Sequence, residues 1–552
     1  MKLSPKTRKI LLLTAFLITV AVCVPATALI TYRISTSASG STQASSKEDI
    51  VADFIIIGGG SAGCIVAARL AEYGFETVLI SSGANDTLNP MMREKRAYSQ
   101  LFRMPQFKHY LFPEPSLNLN GRVLNTIVQN TLGGNGVNGG GMEQMMRNDW
   151  TYFVNVTNDQ SYHHQNMSAY YKMVENFTST ASISPSENHG HSGPIIITQY
   201  YDTKFGNVWK SVAQELSETY SDDLAGLSDY GFSFEGSAFT NGLRSWSGDA
   251  YLSSTMSKYS NLKVITEATV TKLEINEKTK HVDSVLFVTS NGLFKGTARK
   301  EYILSAGVFF SPHLLMLSGI GDSDILRQHN ITVKHELKQV GKNLVDNGVV
   351  TVEYDTKNFS LGDLKPVGLI NSQSTTTNTN PDIFFILKLD EQTKRLTVLI
   401  LNISPKSPAG YVSLHNSNPL VSPKINLTYL KDERDTKTFV NGIEYIRRIM
   451  STSVMKQYAT FNETQPGPNS VNLSTYVINT VSTAQHFLGT CSMGKNEQTS
   501  VVDSHFKVHG IDNLRIVDAS IFPAGFISKS GPCLTVYALA EKAARTLQQM
   551  YS

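Results

Sequence analysis

Residues 52–81 read ADFIIIGGGSAGCIVAARLAEYGFETVLIS, and this stretch decides how the rest of the chain is interpreted. An apolar run typical of a buried parallel strand leads into Gly58, Gly60 and Gly63, which have the spacing GxGxxG. In this motif the glycines allow a tight turn, a close backbone approach to a pyrophosphate, and close packing of a helix on a strand. The helix predicted at residues 61–73 directs free N–H groups at the turn, which suits a diphosphate. The unit therefore predicts a bound dinucleotide.

The second strand of this unit, predicted at residues 76–81, ends in Ser81. Dinucleotide sites of this type have an acidic residue here, whose carboxylate accepts hydrogen bonds from the ribose hydroxyls. A serine hydroxyl is neutral and replaces a charge-assisted contact with a weaker one. We therefore expect reduced affinity for the adenosine half of the ligand.

The composition is that of a globular protein with room for two or more domains. The chain has 552 residues, of which 41% are hydrophobic and 17% charged, and its net charge is +3. No basic stripe with interleaved aromatic residues occurs in the sequence. Nucleic acid is therefore not an expected partner.

The N-terminal residues predict that the protein enters the secretory pathway. Basic residues precede an uncharged apolar stretch at residues 10–30, which is long enough to cross a bilayer. Ala26-Thr27-Ala28 also has the small-residue pattern of a signal-peptide cleavage site. A membrane anchor within residues 1–33 and a cleaved signal both remain open, and both place the body of the protein on the lumenal or extracellular side. The Ser/Thr-rich residues 34–50 are then a flexible linker.

Glycosylation sequons and the cysteine content agree with this route only in part. N-x-[ST] sequons, which accept N-linked glycans, begin at Asn85, Asn155, Asn166, Asn176, Asn330, Asn358, Asn402, Asn426, Asn462 and Asn472. Outside the apolar stretch the only cysteines are Cys64, Cys491 and Cys533, which do not form a disulfide framework.

Three later segments have clear secondary-structure patterns. Residues 261–275 alternate apolar and polar side chains and predict a pair of strands. Residues 301–321 predict a strand, a turn and a helix, with Ser311 as N-cap and Pro312 at the first helical position. Residues 513–520 predict a buried strand that ends in an acid, and residues 534–550 a long amphipathic helix.

Two histidines in an HxH pattern, His189 and His191, were considered as metal ligands. No third ligand type is clustered beside them in the sequence. Structural and catalytic zinc sites need at least three protein ligands, so no metal site is predicted.

Taken together, these segments resemble the glucose-methanol-choline (GMC) oxidoreductases, a flavoprotein family that includes invertebrate glucose dehydrogenases and ecdysone oxidases. The resemblance covers nearly all of residues 51–550. It is carried by residues 58–69 (GGGSAGCIVAAR), 132–134 (LGG), 189–194 (HGHSGP), 242–252 (GLRSWSGDAYL), 306–321 (AGVFFSPHLLMLSGIG), 340–346 (VGKNLVD), 486–494 (HFLGTCSMG) and 501–523 (VVDSHFKVHGIDNLRIVDASIFP).

The resemblance implies an α/β fold with two parts. One is a Rossmann-like FAD-binding domain built from residues 51–160, 240–350 and 495–552. The other is a substrate-binding domain on a six-stranded antiparallel sheet, from residues 161–239 and 351–494. The implied reaction oxidises an alcohol: a base takes the hydroxyl proton while hydride passes to the flavin. Neither the alcohol nor the final electron acceptor can be read from the sequence.

The same resemblance assigns roles residue by residue. His486, inside HxxGT, matches the active-site histidine and would act as a base when its imidazole is neutral. The implied FAD contacts are Gly58, Gly60 and Gly63 at the pyrophosphate, Ser81 at the ribose, Gly133 and Gly134 at the isoalloxazine, Val270 at the adenine, and Asp518 and Ala519 near the ribityl chain.

Two further positions depart from the family pattern. The turn at residues 526–535, FISKSGPCLT, lacks the second His or Asn that holds the substrate oxygen as its charge develops. This position falls on Ser530, Pro532 or Cys533, of which Ser530 alone could donate a good hydrogen bond. Ahead of residues 132–134 the family usually has a basic residue, where this chain has Gln129-Asn130, and the small hydroxyl residues that usually follow are replaced by the glycine-rich residues 135–141, which predicts a shortened and loosened loop.

Two functions from different classes remain open at this point. The first is a secreted or membrane-anchored FAD-dependent alcohol oxidoreductase with His486 as base. The second is a catalytically silent relative that keeps the fold, with weakened or absent FAD binding, as a binding or scaffold protein. A flavin-dependent lyase with the same fold is a third alternative.

Overall fold

The computed structural model describes residues 49–97, 100, 104–180, 187–223, 230–373, 381–470, 472–529 and 531–552. The predicted signal or anchor, all but the last residues of the linker, and Ser530 lie outside this range. Among the described residues, no helix has both the length and the apolar character needed to cross a membrane.

Two large sheets organise the described chain. Their strands are β1 (Ile50–Ile57), β2 (Thr77–Ile80), β3 (Gly231–Phe234), β4 (Leu262–Ile265), β5 (Thr269–Asn276), β6 (His281–Thr289), β7 (Gly292–Leu304), β8 (Gly348–Lys357), β9 (Pro366–Ile370), β10 (Ile383–Asp390), β11 (Arg395–Asn402), β12 (Thr460–Gln465), β13 (Ser482–Thr483) and β14 (Leu514–Ile516). The longer helices are α1 (Ser61–Glu72), α2 (Arg147–Thr157), α3 (His164–Val174), α4 (Thr203–Glu215), α5 (Gly307–Leu317), α6 (Ser323–Gln328), α7 (Glu433–Ser451), α8 (Ser453–Tyr458), α9 (Leu473–Thr480) and α10 (Cys533–Tyr551).

The first sheet has the strand order β4-β2-β1-β7-β6-β5, and β14 pairs with the end of β7. β4, β2, β1, β7 and β14 are parallel, whereas β5 and β6 are antiparallel. The apolar run of β1 is fully buried, as expected for a parallel strand covered on both faces. Because the carboxyl ends of parallel strands meet at one edge, Gly58, Ser81, Ser305 and Asp518 are brought to the same side of the sheet.

The predicted strand pair at residues 261–275 is only partly correct. The segment does form two strands, but β4 pairs with β2 and β5 pairs with β6. Alternation along a strand reports which face is buried and carries no information about the neighbouring strand.

The second sheet has the order β12-β8-β11-β10-β9-β3, with β13 paired to β8, and every pairing in it is antiparallel. This confirms the antiparallel sheet that the family resemblance implied. Its outer face is covered by helices, for example where Trp209 of α4 packs against Phe232 and Phe385. The residue limits given above for the two domains remain a prediction.

Helix α5 begins earlier than predicted, and Pro312 lies inside it rather than at its start. A proline within a helix leaves the carbonyl four residues before it without its usual donor. The Thr490 hydroxyl donates a hydrogen bond of 2.6 Å to that carbonyl, the oxygen of Val308. Ser311 Oγ accepts from the backbone N–H of Ala306 and so stabilises the helix start from within. The expected N-cap role of Ser311 was therefore wrong.

Candidate active site

A cavity of about 830 Å³ lies where the carboxyl edge of the first sheet meets the inner face of the second. Gly58, Ser81 and Val270 line it from the first sheet, and Phe384 and Ile386 from the second. The volume is at the upper end of the roughly 300–1,000 Å³ that is usual for ligand and cofactor sites.

The glycine turn forms one end of this cavity. Gly58 has a φ of 106°, and a Cβ at this position would lie 2.5 Å from the Ser305 carbonyl oxygen. A Cβ at Gly63 would collide with the Gly58 carbonyl, so the turn and α1 can pack only if this residue is glycine. A Cβ at Gly60 would meet only the Ser305 carbonyl oxygen, at 3.6 Å, and Gly60 is the N-cap of α1, which no described side chain caps. The N-terminus of α1 is therefore open to a diphosphate.

The loop that carries Gly133 and Gly134 packs directly on this turn. The backbone N–H of Gly133 donates to the Gly59 carbonyl, and a Cβ at Gly134 would lie 2.9 Å from Gly60 Cα. Asn135 Oδ1 accepts from the backbone of Gln129, and the Gln129 side chain donates to Asn138. These side-chain bonds tie residues 135 and 138 to Gln129, and the predicted loosening of the loop by glycine stays a prediction.

The strand ends place the other predicted cofactor contacts along the same cavity wall. Ser81 is buried at the end of β2, and its hydroxyl accepts from the backbone N–H of Gly83. No acidic residue occupies this strand end in the described chain. Val270 lies in β5 next to a register shift, and both residues line the cavity.

Asp518 joins the end of the first sheet to helix α5. Its Oδ2 accepts hydrogen bonds of 2.9 Å from the Gly307 backbone and 2.5 Å from the Ser311 hydroxyl. Burial raises the pKa of this carboxyl, and the hydrogen bonds to Ser311 and to Ser520 oppose that rise. Asp518 and Ala519 both line the cavity, and their contact with the ribityl chain stays a prediction.

His486 lies in the wall between the two sheets. Its backbone N–H donates to Asp346 Oδ1 at 2.5 Å, and its ring Nδ1 lies 3.2 Å from Asn347 Oδ1. Burial lowers the pKa of its imidazole to about 4, and the charge on Lys388 adds to this effect. The ring is therefore neutral near pH 7. The sequence analysis did not identify Asn347, although it directly follows the VGKNLVD motif.

The residue opposite the imidazole is a glycine. A Cβ at Gly531 would lie 3.6 Å from His486 Nε2, with nothing nearer. Pro532 and Cys533 also line the cavity, whereas Ser530, the donor favoured from the sequence, lies outside the described residues. The sequence left Ser530, Pro532 and Cys533 as alternatives for the position that faces the histidine. Gly531 was missed, because the facing position depends on how the turn packs against His486.

Charged side chains line the cavity beyond His486. Lys95 forms an ion pair with Asp363, and Lys365 Nζ lies 3.6 Å from Glu235 Oε2. Lys388 projects from β10 into the same space. No local motif indicates this group, because its members are far apart along the chain.

The HxH histidines have structural partners. Both ring nitrogens of His189 are engaged, Nδ1 with Glu175 at 2.9 Å and Nε2 with Asp223 at 3.2 Å. His191 Nδ1 lies 3.0 Å from the carbonyl oxygen of Phe177.

Comparisons with known proteins agree with this geometry. Two family models described as GMC oxidoreductase match residues 52–349 and 405–540. The chain is 28% identical to an alcohol dehydrogenase [acceptor] of Pseudomonas putida, over 85% of this chain and 91% of that protein. It is 26% identical to glucose dehydrogenase [FAD, quinone] of Drosophila melanogaster, over 92% and 88%. A crystal structure of pyridoxine 4-oxidase from Mesorbium loti superposes with a TM-score of 0.81 at 23% identity, covering 91% of this chain and all of that one.

Proposed function

Because this chain belongs to the GMC oxidoreductase family, we propose that it is an FAD-dependent enzyme that oxidises the CH–OH group of a small alcohol, with His486 as the base. The observation that carries the proposal is the position of a neutral imidazole in the wall of a cavity whose other end is an open glycine turn. Relatives with alcohol and glucose dehydrogenase names support the reaction class.

The residues of the cavity fit FAD. Gly58 and Gly60 leave the backbone N–H groups of α1 accessible to the pyrophosphate, and Ser81 and Val270 line the part where the adenosine would lie. Asp518 and Ala519 would hold the ribityl chain. When bound, the flavin supplies the hydride acceptor for the alcohol.

His486 supplies the acid–base chemistry. Its Nε2 faces the cavity, and a neutral ring can accept the hydroxyl proton of a substrate bound there. Asp346 holds the backbone of His486 and Asn347 holds the ring. The chain provides no side chain at Gly531 to stabilise the charge that develops on the substrate oxygen, so we expect slower turnover than in relatives that have a donor there.

The silent alternative is favoured by two observations, the missing side chain at Gly531 and the neutral strand end at Ser81. A protein of this kind would keep the cavity as a binding site without redox chemistry. It predicts either no bound flavin or a flavin that no alcohol reduces.

One experiment separates these functions. The ectodomain, residues 49–552, is purified from a secreting host and its visible spectrum is recorded, followed by anaerobic addition of sugars, sterols and aryl alcohols. We expect flavin bands near one per chain and bleaching by at least one alcohol. Absent flavin, or flavin that stays oxidised with every alcohol, would support the silent alternative.

We also propose that the protein follows the secretory route, on the basis of its N-terminal residues. Expression of the full chain in insect cells and sequencing of the mature N-terminus would distinguish a cleaved signal from an anchor. The Asn402 sequon should stay unmodified in the folded protein, because this side chain is buried and donates to Asp435. A mature protein recovered without glycans from the cytosol would contradict this route.

A further inference from the structure

The cavity wall next to His486 is apolar and ends in one positive charge. Along β10, Phe384, Ile386 and Lys388 alternate with core residues, and all three line the cavity. Phe384 and Ile386 are buried, so this strand presents two apolar side chains followed by an ammonium group. The arrangement suits a ligand with an apolar body and a charged end.

The charges around Lys388 do not cancel. Lys95 is paired with Asp363 and Lys365 with Glu235, which leaves these two lysines neutralised. Lys388 has no hydrogen-bond or ion-pair partner within the part of the chain that the structure describes. Burial is the larger cause of the lowered pKa of the His486 imidazole, and the positive charge of Lys388 is the second cause. The electric field of Lys388 therefore reaches the base.

We propose that the substrate is an alcohol that also carries an anionic group, of which a carboxylate is the simplest, and that this group binds Lys388. This inference rests on the proposed function and specifies its substrate class. The carbinol oxygen would lie at His486 Nε2 while the body of the substrate contacts Phe384 and Ile386. Lys388 is exposed at the end of this wall, and a charge-assisted hydrogen bond between its ammonium and a carboxylate is short and stronger than one between neutral groups.

The test uses pairs of alcohols that differ only in one charged group. Benzyl alcohol, 4-(hydroxymethyl)benzoate and 4-(aminomethyl)benzyl alcohol, together with glucose and glucuronate, are added anaerobically to the holoenzyme. The acidic member of at least one pair should reduce the flavin about 10-fold faster than the neutral one. Lys388→Gln should remove this ratio, and Lys388→Glu should favour the cationic compound.

The control is Lys357→Gln, which removes an exposed lysine of the same sheet that does not line the cavity. Equal rates for acidic and neutral members in every pair, or a ratio that survives Lys388→Gln, would overturn the inference. If bound flavin is reduced by no alcohol, the proposed function fails. The site is then decided by calorimetric titration with benzoate and benzylamine: benzoate should bind more tightly, and only while Lys388 is present.

A second inference rests on hydrogen bonds of Asn347 alone. Its Nδ2 donates to the carbonyl oxygens of Asn402 at 3.0 Å and Ser528 at 3.2 Å. An amide turned the other way would bring its oxygen against both carbonyls, so the orientation is fixed. Oδ1 therefore faces His486 Nδ1 as an acceptor.

We infer that Asn347 is a positioning residue that keeps the proton of His486 on Nδ1. With the proton held there, Nε2 has a free lone pair that faces the cavity. Asn347 acts through His486 and makes no contact with the reacting atoms. Because Ser528 lies three residues before Gly531, the same amide also ties the turn opposite His486 to the sheet.

Two variants separate positioning from a structural role. Asn347→Asp keeps an acceptor for the Nδ1 proton but loses both donated bonds, whereas Asn347→Leu loses all three. We expect Asn347→Leu to lower the rate of flavin reduction about 10- to 100-fold, and Asn347→Asp, whose second oxygen would face the Asn402 and Ser528 carbonyls, to recover only part of it. In Asn347→Asp the acidic limb of the pH profile should lie at higher pH, because a carboxylate beside the imidazole raises its pKa.

The position of the proton on the His486 ring can also be measured directly, with or without bound flavin. Two-bond ¹H–¹⁵N spectra of ¹⁵N-histidine protein, assigned with His486→Asn, should show the proton on Nδ1 in the unaltered protein and in Asn347→Asp, and a tautomer mixture in Asn347→Leu. A purely structural role predicts equal losses in both variants and an unchanged tautomer. That result, or a proton on Nε2 in the unaltered protein, would overturn the inference.

Discussion

The two ends of the cavity obtain their chemistry from different parts of the chain. At the glycine turn, backbone groups around Gly58 and Gly60 form the site, and only the absence of side chains is required. At the other end, individual side chains such as His486 and Lys388 supply the chemistry, and Gly531 leaves one position empty. Backbone N–H donors remain after most substitutions, whereas a side-chain donor is lost by a single substitution. This difference explains how the glycine turn can keep its backbone donors while side-chain positions at Ser81 and Gly531 depart from the family.

The strongest test of the substrate end is removal of its base. His486→Asn should lower the rate of flavin reduction about 10²–10⁴-fold, because a positioned base contributes this much. Stopped-flow absorbance measures the rate, and the flavin content should not change. His505→Gln, an exposed histidine outside the cavity, serves as control. Normal reduction in His486→Asn would assign the base to another residue.

The position opposite His486, Gly531, can be given a side chain by substitution. A Cβ at Gly531 would meet His486 Nε2 at 3.6 Å, an ordinary van der Waals contact, so its described surroundings leave room for a side chain. Since loss of one oxyanion donor costs about 10²–10³ in rate, Gly531→Asn should raise flavin reduction about 10-fold or more. Gly531→Ala adds the Cβ without the donor and should give no gain. Equal rates in both variants would show that the position does not face the substrate oxygen.

At the nucleotide end of the cavity, substitution of Ser81 is expected to strengthen FAD binding. Ser81→Glu places a carboxylate where the ribose hydroxyls are expected, and the dissociation constant of FAD should fall about 10-fold. Calorimetry on the apoprotein reloaded with FAD measures it. Ser260→Glu, at an exposed serine that does not line the cavity, is the matched control. If affinity does not change in Ser81→Glu, Ser81 is not the ribose position.

The smallest expected effect concerns pH. Burial lowers the pKa of His486 to about 4, so the base stays neutral and the reduction rate should change less than about twofold between pH 7.5 and 5.5 if this ring alone controls it. An NMR titration of the ring checks the pKa separately. The unfolded chain binds this proton below about pH 6.5, so the stability contributed by the neutral ring is complete above that value and decreases toward pH 4. A ring that titrates near 6.5 would show that its surroundings in the cavity wall do not lower its pKa.

The sequence predicted the parts of the site that depend on local pattern. Gly58, Gly60 and His486 lie in short motifs with fixed spacing, and each lines the cavity. Lys388 and Asn347 could not be predicted, because their roles arise only when distant strands pack together. Ser311 was misread, since a Ser-Pro pair is typical of a helix start. A distant residue, Thr490, is what lets Pro312 lie inside the helix.

The hydrogen bond from Thr490 to Val308 also has a consequence for motion. It links the loop that begins at His486 to helix α5, whose start is fixed by Asp518. The loop and the helix should therefore move as one rigid body, and the imidazole should keep its distance from the cofactor through the catalytic cycle.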